Sequence, residues 1–259
     1  MEKEEILPDV KNIKTQETYT LPSKGLVYAP DENMPASITL RRMTTKEDKI
    51  RLRNQSEDRI RRDLLQACIV EPIDAGKLKL MDANFLLFRL RSLSLLDDMY
   101  KVAVRCPHCG TEFVHQVNLS DVPMEFIKED DLANLKLVLP ISKAEVLLKF
   151  PSIDDIINLS DRLSDYFNNF PNADRGEIIY TAGMSVYIDT INGNKLLSEE
   201  LDEYVDKMDI IDNRALSSVI SKLDNIYGFT KDLIAKCPNC KKDVTHGLPI
   251  TSELFTPSN

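Results

Sequence analysis

The sequence has no tryptophan, only three histidines and only five cysteines among its 259 residues. No apolar run approaches the roughly 18 residues that a membrane-spanning helix requires, so we expect no transmembrane segment. The N-terminus, MEKEEILPDVKNIK, lacks a basic stretch followed by an apolar one and is not typical of a signal peptide. These absences predict a protein that is made in a reducing cytoplasm and stays there.

The common signatures of enzyme sites are also missing. The chain contains no GxxxxGK(S/T), GxGxxG, HExxH or GxSxG motif. Acidic runs such as Asp97-Asp98 are typical of solvated faces or turns, with no apolar setting to raise a carboxyl pKa. Because no nucleophile, base and oxyanion site can be assembled, the sequence predicts a protein that is not an enzyme. An enzyme whose site leaves no sequence signature is the alternative.

Positive charge is in deficit, since 33 Lys and Arg face 42 Asp and Glu, for a net charge of -9. This balance argues against coating nucleic acid, because phosphate binding needs clustered Lys and Arg. A local basic run exists in residues 41–62, and it is typical of a solvated helix face. A docking surface for an acidic partner protein is one alternative, and a nucleic-acid site is another. The candidate partner-binding residues are Arg41, Arg42, Arg59, Arg61 and Arg62.

Four of the five cysteines form two Cys-Pro-x-Cys pairs, in VRCPHCGTEFVHQV (104–117) and AKCPNCKKDVTHGL (235–248). Two cysteines separated by two residues can point at one metal, and four thiolates in a tetrahedron are a common structural zinc site. We therefore predict that Cys106, Cys109, Cys237 and Cys240 bind one structural Zn²⁺. Because 127 residues separate Cys109 from Cys237, the site is split by an inserted segment.

Two other interpretations of the cysteine pairs are a redox CxxC and cysteines without a shared role. A redox site needs a low-pKa cysteine at a helix start, and neither pair is followed by a helical apolar period. Alternating β-forming residues flank both pairs, which predicts two strand–turn–strand units, the arrangement of a zinc ribbon. His115 and His246 are expected on strand faces near the metal, and Cys68 is expected in the core.

The fold class predicted from these patterns is α+β. It comprises a β-hairpin zinc-ribbon element closed by the two distant CPxC pairs, a mainly helical insert and an N-terminal helical region. The predicted segments are an extended N-terminal arm (1–20), an α+β region with the first zinc knuckle (21–119), the insert (120–229), and the second zinc-knuckle strands with a tail (230–259).

Local signals place the helices within these segments. Thr44 and Glu47 predict a capping box before a helical region at 45–69, and an apolar helix is expected from Asp82. LKLVLP and AEVLLKFP predict a hairpin at the start of the insert. Four helices should follow, the first capped by Ser152 and the last ended by Gly228.

One combination of segments resembles a known family. LPSKGLVY, ITLRRMTTKEDKIR, a strand into CPHCG, a helical insert with IDTING, and a strand into CPNC together resemble the T4-like bacteriophage baseplate (hub/assembly) proteins, over about residues 20–250. The resemblance implies a structural or assembly component of a contractile tail baseplate that binds other tail proteins. It would lie in the host cytoplasm during assembly and in the virion tail. It implies no catalytic residue, small-molecule substrate, membrane or nucleic acid. A cytosolic zinc-ribbon adaptor of transcription or translation machinery is the alternative.

Overall fold

The computed structural model describes residues 14–229 and 232–256. The helices are α1 (Thr45–Asp48), α2 (Glu57–Cys68), α3 (Leu80–Leu95), α4 (Ile153–Asn169), α5 (Arg175–Ser185), α6 (Ser198–Asp206) and α7 (Ile210–Ile226). The strands are β1 (Gln16–Thr20), β2 (Ser37–Arg41), β3 (Met99–Arg105), β4 (Glu112–Asn118), β5 (Met124–Glu125), β6 (Lys136–Val138), β7 (Glu145–Leu148), β8 (Ile188–Ile191), β9 (Gly228–Phe229), β10 (Leu233–Lys236) and β11 (Asp243–His246). Short 3-10 turns supplement the helices.

The described part of the N-terminal segment forms a two-stranded ribbon. Strand β1 pairs antiparallel with β2, with Gln16 opposite Arg41 and Thr20 opposite Ser37. Residues 1–13 of the predicted extended arm lie outside the described residues.

The LPSKGLVY loop is fixed to the first turn of α3 by one buried carboxylate. Asp82 accepts hydrogen bonds from the Ser23 amide at 3.0 Å and from the Tyr28 hydroxyl at 2.7 Å. The Tyr28 oxygen in turn accepts a bond from the Lys79 amide at 2.9 Å. Burial raises the pKa of Asp82, and the bonds from Ser23 and Tyr28 oppose that rise. These hydrogen bonds therefore hold the loop in a fixed position against α3.

The helical region expected at 45–69 is interrupted. The capping box is confirmed, because Glu47 accepts from the Thr44 amide and Thr44 accepts from the helix. After α1 and a 3-10 turn, however, Arg53 adopts an extended backbone with φ -70° and ψ 145°. Ser56 then caps a new helix, α2, by accepting a bond from the Arg59 amide. Because Ser56 caps a new helix, the predicted helical region is divided into α1 and α2.

Helix α3 is the centre of the first hydrophobic core. It begins at Leu80, two residues before the predicted start, and nine of its sixteen residues are buried. A helix that is apolar on most sides needs partners on most sides. It contacts α2, the β1–β2 ribbon, β9 and the C-terminal 3-10 turn Ser252–Phe255. Cys68 is fully buried in this core, as predicted.

The insert has a core of its own. Strands β6, β7 and β8 form a three-stranded sheet in that order, so the predicted hairpin of β6 and β7 is confirmed. The predicted helices are present as α4 to α7, and Ser152 caps α4 by accepting from the Asp155 amide. The buried side chains of this second core come from β7, β8, α5, α6, α7 and neighbouring loops.

The two ends of the insert meet in a short antiparallel pair. Met124 in β5 lies opposite Phe229 in β9, and Glu125 lies opposite Gly228. Gly228 follows the end of α7 with φ +85°, and a Cβ added there would lie 3.2 Å from the Met81 Cβ. This pairing brings the chain back beside its point of departure, and the α+β fold class is confirmed.

Candidate metal centre

Two β-hairpins carry the cysteine pairs. Strands β3 and β4 pair from Met99 opposite Asn118 to Arg105 opposite Glu112. Strands β10 and β11 pair from Leu233 opposite His246 to Lys236 opposite Asp243. On β3 the side chains of Tyr100, Val102 and Val104 are all buried, which is the alternating face that the sequence predicts. The hairpins thus rest on the first core and present their turns at one end.

The two CPxC turns are closed by the same pair of backbone bonds. In the first, the Cys106 amide donates to the Thr111 carbonyl and the Gly110 amide donates to the Cys106 carbonyl, each at 2.9 Å. In the second, the Cys237 amide donates to Lys242 and the Lys241 amide donates to Cys237, each at 3.0 Å. Gly110 and Lys241 occupy equivalent positions with φ of +74° and +62°. The lysine therefore adopts a left-handed conformation that glycine adopts without strain.

The four sulfurs have the spacing of a tetrahedral thiolate site. All four lie within 4.8 Å of one another. Cys106 Sγ lies 3.7 Å from Cys240 Sγ, and Cys109 Sγ lies 3.7 Å from Cys237 Sγ. A tetrahedron with Zn–S bonds of about 2.3 Å has sulfur–sulfur edges of about 3.8 Å. A disulfide would instead require about 2.05 Å. The donor set therefore fits one metal ion held by both hairpins.

Thr111 acts on the exposed cysteine of the first pair. Cys109 Sγ lies 3.3 Å from the Thr111 hydroxyl oxygen. Hydrogen bonds from the side chain and backbone of Thr111 lower the pKa of Cys109 to about 6. The thiolate, which is the form that binds metal, is thereby favoured. Burial raises the pKa of Cys68 to about 12, so this fifth cysteine remains a protonated core thiol away from the centre.

The hairpins also touch beyond the sulfurs. His115 Nδ1 lies 2.8 Å from His246 Nε2, and the two rings meet edge to face. His246 Nδ1 lies 2.9 Å from the Gly247 carbonyl oxygen, so in the neutral ring Nδ1 donates to that oxygen and Nε2 accepts a hydrogen bond from His115 Nδ1. Asn239 donates to the Thr111 hydroxyl at 3.2 Å. The sequence prediction placed both histidines near the metal but missed their pairing, although both lie six residues after the second cysteine of their pair.

The five candidate partner-binding arginines all have partners within the chain. Arg41 donates to Glu47 and to the Ala67 carbonyl, and Arg42 donates to the Ser94 carbonyl. On α2, Arg59 pairs with Asp161, Arg61 with Asp58, and Arg62 with Asp63 and Asp154. Since Asp154 and Asp161 belong to α4, two of these arginines join α2 to the insert. Their role in partner binding stays a prediction.

The Arg41–Glu47 pair gives a pH-dependent contribution to stability. Hydrogen bonds from Arg41 lower the pKa of Glu47 from 4.5 to about 2, although burial opposes them. Because the folded pKa is depressed, the stability is present above about pH 4.5 and is lost as the pH falls towards 2. We expect Glu47→Gln to lower the free energy of unfolding by up to about 3 kcal/mol at neutral pH. The measurement is denaturant unfolding of both proteins at neutral pH and at several acid values.

The difference in unfolding free energy between Glu47→Gln and the wild type is the quantity to follow, because loss of any metal bound by the cysteine cluster would destabilise both proteins equally in acid. That difference should shrink between about pH 4.5 and about pH 2. The matched control is Glu199→Gln, an exposed carboxylate in the first turn of α6. Equal stability of the Glu47→Gln protein and the wild type at neutral pH would contradict the prediction.

None of the described helices is both long and apolar enough to cross a bilayer. Within residues 14–229 and 232–256, the four cysteines are the one group of three or more His, Cys, Asp or Glu whose ligand atoms cluster as in a metal site.

The fold and the centre define an α+β protein in which two hairpins, separated by an insert, share a four-cysteine cluster able to hold a metal ion. The family described as T4 bacteriophage base plate protein matches residues 13–256, and the chain belongs to this family. Comparison with curated proteins and with solved structures gave no match. Membership supports a structural role in a phage tail.

Proposed function

We propose that the protein is a non-enzymatic structural or assembly component of a contractile phage tail baseplate, which binds other tail proteins and is stabilised by one structural Zn²⁺. The observation that carries the proposal is the family match, which extends over nearly the whole chain. The cysteine cluster supports its second part, because four thiolates complete a tetrahedral zinc shell and leave no position for a reactive water.

The hydrogen bonds of the buried carboxylates also support a structural rather than a catalytic role for these residues. Asp82 accepts hydrogen bonds from the Ser23 amide and the Tyr28 hydroxyl. Asp212, also fully buried, accepts from the Ile141 and Ser142 amides at 2.7 and 2.9 Å. Glu47 completes a helix cap and binds Arg41. Each therefore fixes a loop or a helix terminus.

The proposal is tested by isolating the tagged protein from its native producing cells at moderate salt and identifying what co-purifies by mass spectrometry. Tail and baseplate proteins in fixed ratio are the expected result. Predominance of polymerase, ribosomal proteins or RNA would instead indicate a zinc-ribbon adaptor of the host machinery. Zinc content of the same preparation should be one ion per chain.

The basic side of α2 is tested by the triple variant Arg59→Glu, Arg61→Glu and Arg62→Glu. We expect recovery of tail proteins to fall about tenfold, because reversed charges repel an acidic partner surface, while the zinc content stays the same. The control is the triple Gln variant, which loses the same internal ion pairs without introducing repulsion. Its internal cost should be small at Arg59, because an exposed ion pair contributes about 0–1 kcal/mol. Arg61 is only 15% exposed and also donates to the Ile250 carbonyl, so denaturant unfolding of both triple variants is compared first. Unchanged recovery in the Glu variant would remove this surface from the proposal.

A further inference from the structure

The net charge of the chain is concentrated in the helical part of the insert. Residues 152–226 contain fifteen Asp or Glu and six Lys or Arg, an excess of nine negative charges. The whole chain has a net charge of -9, so the remaining residues are balanced. A field of one sign over one part of a molecule favours partners of the opposite sign and repels like-charged ones.

Large apolar side chains are exposed around the first turn of α7. Four of them, each more than half exposed, make up what we call the α7-start patch: Ile141, Tyr180, Ile210 and Ile211. Isolated apolar residues on a surface are ordinary, whereas a group of them rimmed by charge is typical of a protein-binding site.

Hydrogen bonds hold the members of the α7-start patch together. The buried carboxylate of Asp212 accepts from the Ile141 amide at 2.7 Å, which fixes the 140–142 loop against α7. The Tyr180 hydroxyl donates to Asn213 Oδ1 at 2.7 Å, one turn after Ile210. Residues from three separate segments are therefore held beside the first turn of α7.

A groove lies beside this patch, between α6 and the 140–142 loop. It has a volume of about 380 Å³. Its half-buried apolar residues are Leu196, Tyr204 and Met208, and Ile141 of the patch forms part of its wall. This volume is at the lower end of ordinary binding pockets and accommodates a few side chains.

Carboxylates line the same groove. Glu200, Glu203 and Asp209 are exposed there, and Asp212 lies buried below the loop. Lys207 is the one basic residue among the described residues that line the groove, and it pairs with Glu203. The groove thus combines an apolar floor with an acidic rim.

We propose that the α6–α7 groove and the α7-start patch bind a basic amphipathic segment of another tail protein. Apolar side chains of that segment occupy the groove, and its Lys or Arg residues face Glu200, Glu203 and Asp209. The inference rests on the proposed function, to which it adds the docking site and the chemistry of the partner. A second copy of this chain is a poorer match, because its helical insert carries the same excess of nine negative charges and would be repelled.

The site is tested by photo-cross-linking in the producing cells, with p-benzoylphenylalanine replacing Ile211. Leu52, which is 71% exposed in the N-terminal region, receives the same substitution as the control. We expect a cross-link from position 211 to a Lys- or Arg-rich amphipathic segment of a tail protein, and none to that segment from position 52. A cross-link to an acidic segment, to a second copy or to nothing above the control would overturn the inference.

Charge variants at the rim make the test specific. Glu203→Lys should lower the yield of that cross-link about tenfold, and Lys207→Glu should not lower it. The exchange variant Glu203→Lys with Lys207→Glu keeps both the ion pair and the net charge, so its yield should stay within about twofold of wild type. Equal yields in Glu203→Lys and wild type would overturn the inference.

The same cells separate this inference from the proposed function. If tail proteins co-purify in fixed ratio but position 211 gives no basic segment, the docking site is wrong and the baseplate function stands. If tail proteins do not co-purify, the proposed function fails and the inference fails with it.

Discussion

Cys237→Ser is expected to abolish stoichiometric zinc binding and to lower the free energy of unfolding on the order of 5 kcal/mol. Zinc contributes about 10–16 kcal/mol to the folding of small zinc-finger peptides. The effect should be smaller here, because α3 and the insert core also hold the chain together. Cys237 is fully buried, and its sulfur lies 3.7 Å from Cys109 Sγ. Serine at this position therefore leaves three thiolate ligands and a buried hydroxyl in place of the fourth. Zinc content and denaturant unfolding are the measurements.

Cys68→Ala is the matched control for loss of a cysteine. Cys68 is equally buried but lies in α2, away from the centre. Its replacement removes one sulfur from the core and should cost about 1 kcal/mol, while one zinc per chain remains. The Cys237 prediction fails if Cys237→Ser retains a full equivalent of zinc, or if it destabilises the protein no more than Cys68→Ala does.

Arg91→Met is expected to cost about 3–5 kcal/mol, the usual penalty for removing one partner from a buried charged network. Arg91 is fully buried in α3. Its guanidinium donates to the Leu254 carbonyl at 2.5 Å, the Thr256 carbonyl at 3.2 Å and the Met99 carbonyl at 2.6 Å. Methionine fills similar space but removes these three hydrogen bonds, and loss of a buried hydrogen bond costs about 1–3 kcal/mol. Denaturant unfolding measures the loss.

Arg91→Lys separates charge from geometry in the same experiment. An ammonium group keeps the charge but cannot reproduce the planar fork that reaches both β3 and the C-terminal turn. We therefore expect a loss between zero and that of Arg91→Met. Hydrogen exchange should accelerate at the start of β3 in both variants. A loss below about 1 kcal/mol in Arg91→Met would show that water replaces the guanidinium, contrary to the expectation.

Much of the local structure was predictable because its signals are local. The CPxC spacing, the alternation around Val102 and Val104, and the Thr44–Glu47 box each lie within a few residues of the structure that they specify. The split metal centre was also predictable, because each CPxC pair supplies two of the four ligands and the two pairs need only be combined. The break between α1 and α2 was missed, although Ser56 was the signal for it.

Contacts between distant segments were not predictable from periodicity. No residue near Asp82 in the sequence indicates that its carboxylate accepts a hydrogen bond from the Ser23 amide, which lies 59 residues earlier. The pairing of His115 with His246 depends on how two hairpins face each other, and the two residues are 131 apart. The internal partners of Arg59 and Arg62 depend in the same way on the docking of α4 against α2. From sequence alone, a basic run that binds a partner therefore cannot be distinguished from one whose arginines pair with carboxylates of the same chain.

The separation of the two cysteine pairs has a consequence for biosynthesis. At about 5–20 residues per second, the 127 residues between Cys109 and Cys237 take roughly 6–25 s to translate. During that interval only two of the four clustered cysteines have been made, and two thiolates alone would hold a metal ion weakly. The shell closes only after the insert and residue 240 have been made and the insert has folded back on itself. If the cluster holds a metal ion as proposed, its retention would therefore report that both ends of the insert have come together, and a chain that stops within the insert would lack two of the four ligands.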